Sequence, residues 1–245
     1  MTDPLPSPRC SGASSSPIRC RDLSVGYADP VLEDLSFAVE EATTLAVVGR
    51  SGCGKTTLLK TLAGILDPLG GEAVVLGRRL PESLPAGELG YIPQSLGLVD
   101  HGTVLRNVLH GTLADLGPVE SLLGRFPQEA QQEARTAIEA VGLAGKEQSR
   151  VKELSGGQRR RVAIARALVQ EPRVLLADEM LSELDAETAG SIIDCVSRLQ
   201  AETGMTVVIV EHDVDLARQL SHRLVHLEDG RIRQQIETGT AGDEP

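Results

Sequence analysis

A short list of residues in this 245-residue chain has the types and spacing for phosphate chemistry. Gly49-Arg50-Ser51-Gly52-Cys53-Gly54-Lys55-Thr56-Thr57 fits the pattern G-x-x-x-x-G-K-[ST] at every fixed position. Glycines let such a loop turn tightly and aim its N–H groups at phosphate oxygens. A helix starting at the same spot adds the positive end of its dipole. In this setting Lys55 is expected to reach the β- and γ-phosphates of a nucleotide and Thr56 to ligate Mg²⁺. Two adjacent carboxylates, Asp178 and Glu179, end the apolar run Val174-Leu175-Leu176-Ala177. Acids at the tip of a buried strand are costly unless something uses them. Beside a phosphate loop, the first can hold Mg²⁺ through water and the second can polarise the water that attacks a γ-phosphate. His212 ends a second such run, Val207-Val208-Ile209-Val210-Glu211, and is the one histidine of five at the end of a core strand. There it can donate a hydrogen bond to a γ-phosphate or to the attacking water. Gln94 ends Leu89-Gly90-Tyr91-Ile92-Pro93 and is read either as a Mg²⁺ ligand or water holder, or as an ordinary surface amide.

These side chains need elements to hold them. Thr44-Leu45-Ala46-Val47-Val48 reads as a buried parallel strand, and Leu58-Leu59-Lys60-Thr61-Leu62-Ala63 as a helix with one apolar face. Upstream, Leu35, Phe37 and Val39 alternate with Ser36, Ala38 and Glu40, as in a sheet with one face buried. Ala28-Asp29-Pro30 reads as a turn between two such strands. Tyr27 precedes that turn; its ring either stacks on adenine or packs on the core. Residues 72–80 read as another strand after a Gly70-Gly71 turn. The character then changes. Leu105, Val108 and Leu109, followed by Ala130 to Val141, carry helical spacing, with Gly142 ending the second helix. Residues from about 95 to 164 are read as an inserted helical subdomain.

Leu154-Ser155-Gly156-Gly157-Gln158 opens another helix, with Ser155 as its N-cap, and offers a second anion site. Arg159-Arg160-Arg161 just beyond could be a nucleic-acid patch. A solvated face with one or two ion pairs is the reading that suits an acidic chain. Arg223 to Leu227 and Arg231 to Gln234, joined through Asp229-Gly230, read as a hairpin.

Bulk properties limit the options. Net charge is -11 and the pI near 5.0, which argues against nucleic acid as the main partner. No apolar run approaches the roughly 18 residues of a membrane helix. Residues 1–17 are rich in Ser and Pro, lack an apolar core like that of a signal peptide, and read as a disordered tail, as does the polar stretch 237–245. The protein is therefore expected on the cytoplasmic side. Cys10, Cys20, Cys53 and Cys195 form no C-x-x-C pair, so neither zinc nor a disulfide framework is indicated.

The order of these motifs resembles the ATP-binding subunit of an ABC transporter. The loop at 49–57, Gln94, Leu154-Ser155-Gly156-Gly157-Gln158, Leu176-Ala177-Asp178-Glu179, Ser182-Glu183-Leu184-Asp185 and His212 carry the resemblance, which spans about residues 18–236. It implies an α/β P-loop core with a mostly parallel sheet, an N-terminal antiparallel β subdomain and a helical insertion. It also implies a head-to-tail dimer, of two copies or with a paralogue, in which each Mg-ATP lies between one subunit's loop and its partner's Ser155, Gly156, Gly157 and Gln158. By the same resemblance Tyr27 falls at the adenine-stacking aromatic, and Asp185 at the loop that contacts the opposite P-loop. The subunit would sit on the cytoplasmic face of the membrane and drive permease subunits, served indirectly by a solute-binding protein.

Arg106-Asn107-Val108-Leu109-His110-Gly111, Leu122-Leu123-Gly124-Arg125-Phe126-Pro127 and Asp213-Val214-Asp215-Leu216-Ala217-Arg218 resemble phosphonate-importer ATPases in particular. An exporter or lipoprotein-release ATPase is the alternative. A soluble ABC ATPase of DNA repair or translation would need a long coiled coil or a second P-loop, and the chain has neither. Two positions depart from the pattern. Met180 stands where proline is usual, which is expected to loosen the turn toward Asp185. Glu211 stands where a small or polar residue is usual.

Overall fold

The computed structural model describes residues 16–114, 126–182 and 184–238. Most of the N-terminal tail, the C-terminal stretch from 239, Leu122 to Arg125 and Glu183 lie outside the described residues. A six-stranded sheet has the order β10-β9-β3-β8-β7-β6. Its strands are β3 (Thr44–Gly49), β6 (Leu89–Ile92), β7 (Val174–Asp178), β8 (Thr206–Glu211), β9 (Arg223–Glu228) and β10 (Arg231–Glu237). All pairings are parallel except β10 against β9, the hairpin closed by Asp229 and Gly230 at φ 49° and 77°. The second sheet is antiparallel, β2-β1-β4-β5, from β1 (Ile18–Gly26), β2 (Pro30–Val39), β4 (Gly70–Val75) and β5 (Arg78–Arg79). The strand expected over 72–80 is thus two strands. It begins at Gly70 and breaks at Leu76-Gly77, both in the left-handed region (φ 50° and 75°), which reverses the chain into β5.

The α-helices among the described residues are α1 (Lys55–Leu62), α2 (Val104–Leu109), α3 (Gln128–Ala140), α4 (Gly156–Leu168), α5 (Ala186–Thr203) and α6 (Val214–Leu220). Residues in β3, β7 and β8 are buried on both faces, and their alternation sorts them into two cores. Leu45, Val47, Leu176, Val208 and Val210 face α1 and the antiparallel sheet. Ala46, Val48, Leu175, Ala177, Val207 and Ile209 face α2 to α6. The parallel sheet is the middle of three layers, and each buried Val, Leu or Ile contributes about 1.5–3 kcal/mol. No helix among the described residues is long and apolar enough to cross a membrane.

Among the described residues no carboxylate forms an ion pair with the basic run at the start of α4. Its guanidinium groups bind carbonyls. Arg159 donates to Leu154 O and Lys152 O, Arg160 to Ser182 O, and Arg161 to Val141 O at 2.6 Å and to the Ser191 hydroxyl. Val141 caps the C-terminus of α3, where helix carbonyls lack intrahelical partners. Arg161 therefore joins α3 to α4 and α5, and its planar fork suits that task better than a lysine would. Arg161→Met keeps the aliphatic stem but orphans the buried Val141 carbonyl. We expect it to lower unfolding free energy by about 1–3 kcal/mol in urea denaturation; an unchanged midpoint would remove Arg161 from the fold's supports.

Candidate functional site

Parallel strands place their C-terminal ends along one edge. The order β3-β8-β7-β6 aligns the 49–57 loop, His212, the Asp178-Glu179 pair and Gln94 in that sequence. At the first of these, Gly54 is the N-cap of α1 at φ 103°, and no side chain caps the helix. The leading N–H groups of α1 thus lack a side-chain acceptor. A Cβ at Gly54 would lie 2.8 Å from Val31 Cγ1 and 2.9 Å from Leu32 Cγ, so both backbone and space demand glycine. Lys55 is buried, and its ammonium donates to Gly49 O at 2.7 Å and Arg50 O at 3.1 Å. The loop holds its own cation over its carbonyls. Ser51 and Gly52 lie at the exposed tip, while Cys53 is half-buried with its N–H bonded to Arg50 O. Thr57 is buried behind the loop.

Thr56 Oγ1 donates to Asp178 Oδ1 at 3.2 Å, and Asp178 Oδ2 is buried with no hydrogen-bond partner among the described residues. Burial pushes the Asp178 carboxyl up from its ordinary range, opposed by the Thr56 hydrogen bond and by Lys55. An orphaned carboxylate oxygen next to a hydroxyl is a donor set for a hard cation, so the residues fit Mg²⁺. Glu179 follows at φ 50°, in the left-handed region, with its N–H held by Val210 O at 2.8 Å. Gln94 Nε2 donates to Glu179 Oε2 at 2.6 Å, which leaves the Gln94 carbonyl oxygen as the acceptor end of the amide. Gln94 is thus an exposed amide bonded directly to the second acid of the pair.

Tyr27 is 64% exposed, so its ring does not pack on the core; its hydroxyl accepts from Lys60 Nζ at 3.4 Å. Ser155 and Gln158 form a capping box on α4. The Ser155 hydroxyl accepts from Gln158 N at 3.3 Å, and Gln158 Oε1 accepts from Ser155 N at 3.2 Å. Gly156 is exposed. A Cβ on Gly157 would lie 2.3 Å from Thr188 Cγ2, so only glycine lets α4 approach α5 here. Asp185 caps α5, its carboxylate accepting from Thr188 N at 2.9 Å and Thr188 Oγ1 at 2.8 Å; these bonds hold its carboxyl below the usual range. Among the described residues no hydrogen bond joins segment 155–158 to the 49–57 loop.

Glu211, Ser182 and Arg160 meet at this edge, although the sequence assigned none of them a role there. Glu211 is fully buried, and burial pushes its carboxyl up. It accepts from Leu181 N at 2.7 Å and from Ser182 Oγ at 3.0 Å. Ser182 Oγ also lies 3.2 Å from His212 Nδ1, and Arg160 donates to the Ser182 carbonyl. Glu211 did carry a signal, an acid ending a buried β-branched run, the same feature that marks Asp178. Met180, at the start of the turn after Glu179, is fully buried in the helix-side core, and Glu211 accepts from the next two residues.

A glycine loop capping a helix after a parallel strand, with a hydroxyl–carboxylate pair and a second acid at the neighbouring strand end, defines a P-loop nucleotide-binding protein. A family model described as "ABC transporter" matches residues 32–182. The phosphonates import ATP-binding protein PhnC 1 of Halalkalibacterium halodurans is 37% identical over 224 residues, 88% of this chain and 87% of its own length. The Fe(3+) ions import ATP-binding protein FbpC of Rhizobium etli is 42% identical over 205 residues, 83% of this chain but 56% of its own length. A solved dimeric structure of a bacterial ABC transporter cassette superposes with a TM-score of 0.76 at 26% identity, over 90% of this chain and 98% of that one. The chain belongs to the ABC transporter ATP-binding family and is an ATP hydrolase of that class.

Two outcomes test the loop. Lys55→Ala should weaken ATP binding in calorimetry or abolish turnover, and unaltered activity would show the loop misread. Alkylation of half-buried Cys53, next to the loop's cation, should inhibit, with ATP protecting; labelling indifferent to ATP would place the nucleotide elsewhere.

Proposed function

We propose that the chain is the ATPase of an importer, working in a head-to-tail pair with a second copy or a paralogue beneath membrane permease subunits, on the cytoplasmic face. A solute-binding protein serves the complex indirectly, and nucleic acid has no part. The observation that carries this reading is Glu179, held at 2.6 Å by Gln94 beside the Thr56–Asp178 contact. In this arrangement a γ-phosphate takes Lys55 away from the Gly49 and Arg50 carbonyls, exchanging a neutral acceptor for a charged one. Gly49 to Thr57 supply backbone donors, and Tyr27 offers its exposed face to adenine. Thr56, Asp178 and Gln94 are the residues that would hold Mg²⁺, which supplies charge neutralisation at the β- and γ-phosphates. Glu179 takes the proton of the attacking water, and the Gln94 donor on Oε2 leaves Oε1 for that task. His212 donates to the γ-phosphate oxygen. Ser155, Gly156, Gly157 and Gln158 of one subunit complete the phosphate site of the other, and Asp185 lies at the contact between them. A dimeric relative of the same fold supports the pairing.

The solute is proposed to be a phosphonate or a related phosphorus oxyanion. In support, the phosphonate-import relative is matched over 87% of its length, whereas the Fe(3+)-import relative is matched over 56% of its length despite its higher identity. Glu179→Gln should lower turnover by about 10²–10⁴-fold while an ATP-bound dimer accumulates on size exclusion with light scattering. Wild-type turnover would sink the role of Glu179 as base. For the solute, deleting the gene should abolish growth on methylphosphonate as sole phosphorus source. A defect confined to limiting ferric iron would transfer the assignment to iron.

A further inference from the structure

The cluster at the end of β8 contains a hydrogen-bond chain with a direction. Leu181 N can only donate, so Glu211 Oε1 must accept. With the carboxylate ionised, Oε2 also accepts, and the Ser182 hydroxyl gives it its single proton at 3.0 Å. Ser182 Oγ then has only lone pairs left. His212 Nδ1, 3.2 Å away, can bond to it only as an N–H. Given the ionised carboxylate, each later link is set by the one before it.

We propose that Glu211 is a positioning residue that acts through Ser182 to keep the proton of His212 on Nδ1, so that Nε2 is the nitrogen presented to the nucleotide. This rests on the reading of His212 as a γ-phosphate contact. With one proton held on Nδ1, Nε2 donates to a phosphate oxygen when the ring carries both protons. That cationic form has an acceptor at each end, Ser182 Oγ and the phosphate, whereas the opposite neutral tautomer would donate from Nε2 without the charge. The opposite neutral tautomer would leave Nδ1 a bare acceptor facing a hydroxyl already committed to Glu211. Arg160, donating to the Ser182 carbonyl, fixes the same residue from α4. The chain thus also ties the histidine to the helix that begins with Ser155 to Gln158.

Glu211→Gln tests the direction of the chain at nearly constant shape. Leu181 N holds the glutamine carbonyl oxygen, so the amide NH₂ faces Ser182 Oγ and donates to it. Ser182 must then send its proton to His212 Nδ1, and the neutral ring becomes the Nε2–H tautomer. Two-bond ¹H–¹⁵N spectra of the ¹⁵N-histidine-labelled full chain, with the His212 signal assigned by His212→Gln, distinguish the two forms. Expected is Nδ1–H in the unsubstituted protein and Nε2–H in Glu211→Gln. With this should go a fall in kcat of about tenfold or more at an ATP KM within about twofold. Ser182→Ala should lose the Nδ1–H preference, and Ser182→Thr should restore it. Nδ1–H persisting in both Glu211→Gln and Ser182→Ala overturns the chain. A switched tautomer with unchanged kcat keeps the chain but overturns its catalytic part. Wild-type turnover in His212→Ala instead overturns the reading of His212 on which the proposal rests.

Discussion

Carboxylates buried at the ends of parallel strands are the constraint from which this site follows. Asp178 and Glu211 are 1% and 0% exposed and end adjacent strands of the sheet. Removing an ionised carboxylate from water costs several kcal/mol even after relaxation. A hydrogen bond to a charged group returns about 1.5–3 kcal/mol. Glu211 has two such bonds, from Leu181 N and Ser182 Oγ, which is enough to offset most of its burial. Asp178 has one, from Thr56, and an oxygen with none. The two acids therefore differ in kind. Glu211 is satisfied by the protein and serves the fold around it. Asp178 is left in deficit, and a divalent cation is the partner that its empty lone pairs suit.

The rest of the edge is arranged around that difference. Glu179 sits in a left-handed conformation that costs about 1–3 kcal/mol, between an acid that awaits a cation and a turn that another acid pins. The strain persists because both flanks are fixed: Val210 O takes its N–H, and Glu211 takes the N–H of Leu181. Met180 and Glu211, the two residues that depart from the resembled pattern, thus meet in one structure. Methionine leaves the turn without proline's fixed φ, and the buried carboxylate supplies the restraint instead.

How much of this could be seen in the sequence depended on the range of the interaction. The glycine loop, the acids after Val174–Ala177 and the Ser155 cap are local patterns, and their elements followed from periodicity. The break at Leu76-Gly77 was half visible, since glycine permits a positive φ but says nothing of the leucine before it. Tyr27 could not be decided, because exposure is set by what packs nearby rather than by residue type. The arginines at 159–161 misled for the same reason: their acceptors are carbonyls of Lys152, Leu154, Val141 and Ser182, and the last two belong to distant elements. Glu211 was hidden by a contact that spans 30 positions.

The two anion-facing segments also differ in how they are satisfied, which bears on the proposed pairing. In α4 the capping box uses the Ser155 hydroxyl and the Gln158 carbonyl oxygen within the helix itself, which orders the segment before any ligand arrives. In α1 no side chain caps the helix, and Lys55 rests on its own carbonyls. An ordered donor surface facing an unsatisfied loop is the combination expected when the first belongs to one subunit and the second to another, because pre-ordering on one side lowers the entropy lost when the two close on a nucleotide. Arg160 reaches from α4 to the Ser182 carbonyl, so the segment that begins with Ser155 is joined within the chain to the residue that contacts His212.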